Sequence, residues 1–211
     1  NPDFSQVEVD DQVVNLTRFA ISLPEKRQFF TQNDDLFKDF GENRDVIPFF
    51  SRRIGVAQDL DGNTIENKII AGARLSGKLN SNLRLGFLNM LTDSDVNNQI
   101  ASNLNTVFTL RQKVFDRSNI SFFLIDRRTI GEYDFINKQD KKNSVSGVEY
   151  NLASPDSKWV GRAFYHKSFT EGLEGDDQII GARIQRNTLR NRISTGFIHG
   201  GEDFRSDLGF F

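Results

Sequence analysis

His166 and Ser168 stand two residues apart in WVGRAFYHKSFT, and residues two apart on a strand share a face. A histidine beside a hydroxyl is the start of an acyl-transfer site, which needs a nucleophile, a base and an orienting group converging in space. This is the only local candidate, and 167–170 reads more simply as the end of a strand. The other histidine, His199, lies on a different predicted strand, with no HExxH and no carboxylate at ligand spacing, so no metal centre is expected. A glycosidase pair would have to come from Asp34, Asp35, Glu171, Glu174, Asp176 and Asp177. These fall in runs inside loops, where solvation or ion binding is the usual role; no EF-hand pattern marks a calcium loop, although cations bridging surface lipopolysaccharide would suit such runs. Gly-rich phosphate cradles are missing, Gly72 and Gly77 reading as strand glycines. Neither a cofactor nor catalysis is expected.

The residues with more physical content are basic. Arg74, Lys78, Arg84, Arg111, Lys113, Arg162 and Arg183 recur with Gly, Ser, Thr, Gln or Glu149 on one parity of alternating segments. One face of each strand is therefore polar and cationic, the other apolar. If the polar face lines an open lumen, it favours anionic solutes. If residues 24–55 plug that lumen, the same side chains pair with the plug and the protein is a scaffold or receptor.

The elements that must hold this set are hairpins. Ile69, Ala71, Ala73, Leu75, Gly77 and Leu79 share one parity, Lys68, Gly72, Arg74, Ser76 and Lys78 the other; after Asn80-Ser81-Asn82 the alternation resumes at Leu83, Leu85 and Phe87. Segments 106–115 and 120–129, 144–152 and 159–170, and 178–186 and 192–200 repeat the pattern. Four hairpins follow, with short turns at about residues 81, 118, 155 and 189, a recurrence of roughly 35 residues. The connections between hairpins, at 93–105, 130–141 and 171–177, are longer and rich in Asp, Glu, Asn and Gly. Arms of about ten residues approach the roughly 9–11 that cross a bilayer, and short turns at one end with long polar loops at the other is the asymmetry of an outer-membrane barrel.

Residues 24–55 break the alternation with Pro24, Gly41, Pro48 and Asn33-Asp34-Asp35. The doublets Phe29-Phe30 and Phe49-Phe50, flanked by Lys26-Arg27 and Arg52-Arg53, read as anchors of this long loop on the wall, with stacking on a ligand as the other use. Residues 56–66 read as a polar turn around Asp61-Gly62, and 1–23 as one or two strands. The expected division is therefore 1–66, strands plus a plug-like loop, and 67–211, four hairpins of wall.

Composition agrees. No run among the 211 residues approaches the ~18 apolar residues of a transmembrane helix, but a barrel wall needs only alternate residues apolar. A net charge of −2 gives no electrostatic reason to expect nucleic acid, and the absence of cysteine removes disulfides and thiolate metal sites.

The runs NPDFSQVEVDDQVVNLTRF, LPEKRQFF, FFSRRIG, IIAGARLSGKL and LRLGFLNMLT resemble, in order and spacing, the uncharacterised outer-membrane β-barrel domain that commonly follows a family-9 carbohydrate-binding-like module in Gram-negative surface proteins. The later hairpins match it by pattern. The resemblance implies a barrel larger than this chain, with Phe211 a truncation point, no established reaction, and a link to glycan handling through the missing module. The expected architecture is an antiparallel up-and-down transmembrane β-barrel, seen as roughly 8–10 of its strands. The expected protein is non-enzymatic: a pore, or a scaffold or receptor in a surface complex. Its partners are outer-membrane lipid and lipopolysaccharide, the remaining strands or other outer-membrane proteins, and glycan. A soluble β-sandwich carbohydrate-binding module or enzyme, and a complete eight-stranded barrel, are the alternatives.

Overall fold

The long alternating segments form strands whose successive side chains fall on two faces, an inner one that packs into the core and an outer one that stays exposed. The computed structural model describes residues 25, 27–42, 45–173 and 175–210. The strands expected in 1–23, and Lys26, Glu174 and Phe211, lie outside the described residues. Eight strands make one antiparallel sheet in simple chain order: β3 (Ile69–Lys78), β4 (Leu83–Thr92), β5 (Asn103–Val114), β6 (Ser118–Thr129), β7 (Lys142–Ala153), β8 (Trp159–Thr170), β9 (Gln178–Asn187) and β10 (Arg192–Gly200). Each pairs with its chain neighbours, and among the described residues β3 and β10 are the two edges. The expected polar turn around Asp61-Gly62 is present and joins an unexpected smaller sheet of β1 (Val56–Gln58) and β2 (Thr64–Glu66); Asp59 Oδ1 accepts the Asn63 N–H at 2.7 Å and closes the turn.

Parity fails at one point. Ile69 pairs with Thr92 but Ala71 pairs with Leu91, so a bulge at Ile70 turns Ile69 to the inner face while Ala71, Ala73 and Leu75 stay outside. Ile69 is buried, whereas Ile70 and Leu75 are exposed.

Residues 27–42 and 45–55 cross the inner face. They hold two single-turn helices, α1 (Gln28–Thr31) and α2 (Asp35–Lys38), and a 3-10 turn at Ser51–Arg53. Phe30, Leu36, Phe37, Phe40, Val46, Phe49 and Ile54 pack on Leu88, Met90, Val107, Phe123, Ile125, Val145, Phe164 and Ile179 as one core. Each large apolar side chain so buried contributes about 1.5–3 kcal/mol. The segment after β10 lashes this layer down: Ile47 and Phe210 exchange both backbone hydrogen bonds, and the Phe50 N–H donates to the Leu208 carbonyl at 2.6 Å. Helix α2 approaches the sheet at Gly86, where an added Cβ would sit 2.6 Å from Thr109 Oγ1 and 2.9 Å from the Phe37 ring. Gly86→Val is therefore expected to cost about 1–3 kcal/mol by overpacking, read as a lower urea midpoint with faster proteolysis within 27–55.

No helix among the described residues is long and apolar enough to cross a membrane, which says nothing of crossing by strands.

Candidate functional site

The inner face divides into a cationic band near the short turns, the apolar core, and a polar cleft near the long loops. The band is built by strand register. Arg84 on β4 pairs across to Arg111 on β5, and Arg162 on β8 to Arg183 on β9. Facing guanidinium groups repel, so anions must lie between them. The inner segment supplies these. Arg84 grips Asp35 through both nitrogens at 2.5 and 3.1 Å, the bidentate geometry that favours arginine. Arg111 reaches Asp35 at 3.4 Å and Asp39 at 3.1 Å, and Arg162 donates to Asp39 at 2.6 Å and to the Gly41 carbonyl. Arg183 lies 3.4 Å from Glu42. Arg74 donates to the carbonyls of Phe29 and Gln32 and lies 4.7 Å over the Phe37 ring.

Five of the seven basic residues singled out in the sequence thus hold residues 29–42. Lys78 and Lys113 do not: both are exposed near the turn ends of their strands. Of the aromatic anchors, Phe30 and Phe49 are buried in the core, Phe29 packs against it, and Phe50 meets Phe210 at 5.0 Å between ring centres.

Beneath Gly41 is an arrangement the sequence reading missed. Glu149 on β7 and His166 on β8 are fully buried; Glu149 Oε1 lies 2.8 Å from His166 Nε2 and accepts the Gly41 N–H at 2.6 Å. Arg162 Nε is 3.8 Å from the other carboxylate oxygen, and Phe123 and Phe164 enclose the imidazole at 4.9 Å. His166 is therefore spent on a structural carboxylate. Ser168 donates to the Asp177 carbonyl at 3.3 Å and accepts the Arg205 N–H at 3.2 Å, so histidine and serine share a face without forming a nucleophile and base. His199 sits exposed on β10, at the sheet edge. The acidic runs serve local pairs: Asp34 with Lys38, Asp177 with Lys167 at 2.7 Å, and Glu171 with Lys138 at 3.9 Å. No cluster of three or more metal-ligating side chains occurs among the described residues.

The hydrogen bond from Arg84 holds the Asp35 carboxyl below the ordinary carboxylate range, against opposing desolvation and helped by the charges of Arg84 and Arg111. A lowered folded value makes the pairing stabilise fully above the unfolded value of about 4 and lose that contribution as pH falls through the folded one. Protection of residues 27–42 from proteolysis is expected to hold from pH 7 to about 4 and to fall below it. Asp35→Asn should remove part of that acid dependence.

An all-β protein whose antiparallel meander carries its own inner segment, held by arginine–aspartate pairs, is the class that these features define. The family model described as "Domain of unknown function (DUF5916)" matches residues 1–137, and the chain belongs to that family. No curated protein and no solved structure matches the chain.

Proposed function

We propose that this chain is wall and plug of an outer-membrane β-barrel that acts without catalysis, as a scaffold or receptor in a surface complex rather than as an open pore. The outer face of the sheet carries this reading. Leu75, Phe122, Leu124, Val148, Trp159, Tyr165, Ile180, Ile184, Ile193 and Phe197 project from it, every one exposed, over strands of 9 to 12 residues. Charges on that face, such as Asp126, Arg128, Lys167 and Arg186, stand toward the strand ends. A sheet in water keeps one apolar face and solvates the other, and exposed apolar patches beyond a few hundred Å² are rare. Here the inner face is already committed to residues 27–55, so the outer apolar face needs a second apolar medium. A bilayer is that medium, and the strand lengths suit it.

The plug favours a receptor or scaffold over a pore: Asp35, Asp39 and Glu42 neutralise most of the arginines that would otherwise select anions. It also speaks against closure at eight strands, because an eight-stranded barrel interior has room for side chains but not for a second layer of backbone. The edges of β3 and β10, unpaired among the described residues, would then take further strands, from the same polypeptide or from another outer-membrane protein, since unpaired edges are not tolerated in lipid. Lipid and lipopolysaccharide are the expected surroundings.

The experiment is fractionation of the full-length protein expressed with its own export signal. Recovery in the outer membrane, with a mobility on unboiled gels that changes on heating, is the expected result. Recovery as a detergent-independent soluble monomer would overturn the proposal in favour of a soluble sandwich.

A further inference from the structure

At the long-loop end, the inner face opens into a cleft of about 730 Å³ between β1–β2, the loop ends of β4 to β6, and the segment after β10. That volume falls within the roughly 300–1,000 Å³ typical of ligand sites. Asn105, on the inner parity of β5, lines the cleft; it is 3 % exposed and its side-chain amide has no hydrogen-bond partner among the described residues. Its amide reaches the cleft, where a ligand can take both its donor and its acceptor. Its neighbour Asn103 shows the contrast, donating to the Ala101 carbonyl at 2.8 Å and accepting from Thr129. Asn67 and Gln58 add further amides to the lining, and Phe135 and Leu208 add apolar surface.

The charges sort in the same way. Arg127 and Arg205 are taken by Asp207 at 2.9 and 2.6 Å, and Arg205 also by Asp140 at 2.7 Å. Both arginines are thus already paired within the protein, and the Arg205 hydrogen bond holds the Asp140 carboxyl below its ordinary range. Arg53 stacks 4.4 Å over the Phe210 ring and has no carboxylate within ion-pair distance among the described residues, which leaves the cleft one positive charge in excess.

We infer that this cleft binds an acidic saccharide, with Asn105, Asn67 and Gln58 meeting its hydroxyl groups, Phe135 its apolar ring face and Arg53 its carboxylate. An amide offers donor and acceptor side by side, the pattern that a pair of neighbouring hydroxyls presents in reverse. A guanidinium matches a carboxylate with two parallel donors. The inference goes beyond the barrel reading and does not depend on it, because it rests on the lining of the cleft.

The test is calorimetric titration of the full-length protein, in detergent if it needs it, with oligogalacturonate, with maltotetraose as neutral saccharide, and with citrate as a carboxylate without sugar rings. Oligogalacturonate is expected to bind at least tenfold tighter than either control. Asn105→Leu should weaken it at least tenfold, and Arg53→Gln, at an exposed position, should keep the urea midpoint while abolishing the preference for the acidic sugar. No binding of oligogalacturonate, or binding unchanged in Arg53→Gln, would overturn the inference. Equal binding of citrate would overturn the saccharide part by showing a general carboxylate site. Failure of fractionation with intact binding would sink the membrane reading and leave this one standing.

Discussion

Phe122→Arg is expected to leave the protein unable to fold stably into phospholipid vesicles, while barely changing its stability if the outer face meets water. Phe122 projects from the centre of β6, 41 % exposed, between Ile120 and Leu124 on the same face and across from Val148 on β7. An arginine facing lipid at the bilayer midplane of a barrel costs about 2–4 kcal/mol. The same substitution at an exposed position of a soluble protein falls within about ±0.5 kcal/mol. The two readings of the outer face therefore differ by several-fold in one number, the urea midpoint for folding into vesicles. Lys167, near the loop end of the same face, is the internal control: its ammonium already reaches Asp177 at 2.7 Å, so Lys167→Arg should be neutral in either medium. A Phe122→Arg protein as stable as its parent would sink the lipid-facing assignment.

The hairpins were legible because a strand with two unlike faces writes its period into the sequence, and four repeats of it leave little freedom of register. Segments 159–170 and 192–200 match β8 and β10 to the residue, and the others differ by a few positions at their ends. Ile69 was placed on the wrong face because a bulge inserts a residue that alternation cannot count. β1 and β2, three residues each, are too short to alternate, and α1 and α2, four residues each, are too short to show a helical period. The arginines were visible as a set, but their partners were not, since Asp35 and Arg111 are separated by 76 positions and meet only through the fold. A signal for the buried pair did exist. The turn at Ser154–Ser157 sets the β7–β8 register and lays Gly147 opposite His166, so Glu149, on the same inward parity, is the diagonal neighbour of the histidine. Aligning the two arms about their turn, rather than reading each alone, would have found it.

That pair is where the inner layer is most sensitive. Glu149→Leu keeps the approximate volume but removes the acceptor of the Gly41 N–H and the partner of His166, and leaves Arg162 with less anionic company. Removing one member of a buried polar pair costs about 3–5 kcal/mol, because the remaining groups stay desolvated without compensation. Much of that loss should fall on docking of residues 39–42, so the expected signature is early cleavage within 27–55 together with a lowered urea midpoint. Glu149→Gln retains a carbonyl oxygen for one of the two donors and should lose less. The informative variant is the double one, Glu149→Leu with His166→Phe, which replaces the pair by apolar groups beside Phe123 and Phe164. Apolar replacement of a buried pair is often neutral or stabilising, so the double variant should recover much of the midpoint while the Gly41 N–H stays unsatisfied. Recovery of stability without recovery of protease protection would mean that the pair serves chiefly to seat the inner segment. Recovery of both would make it an ordinary piece of core, and a single Glu149→Leu variant with unchanged stability would show that Gly41 does not dock there.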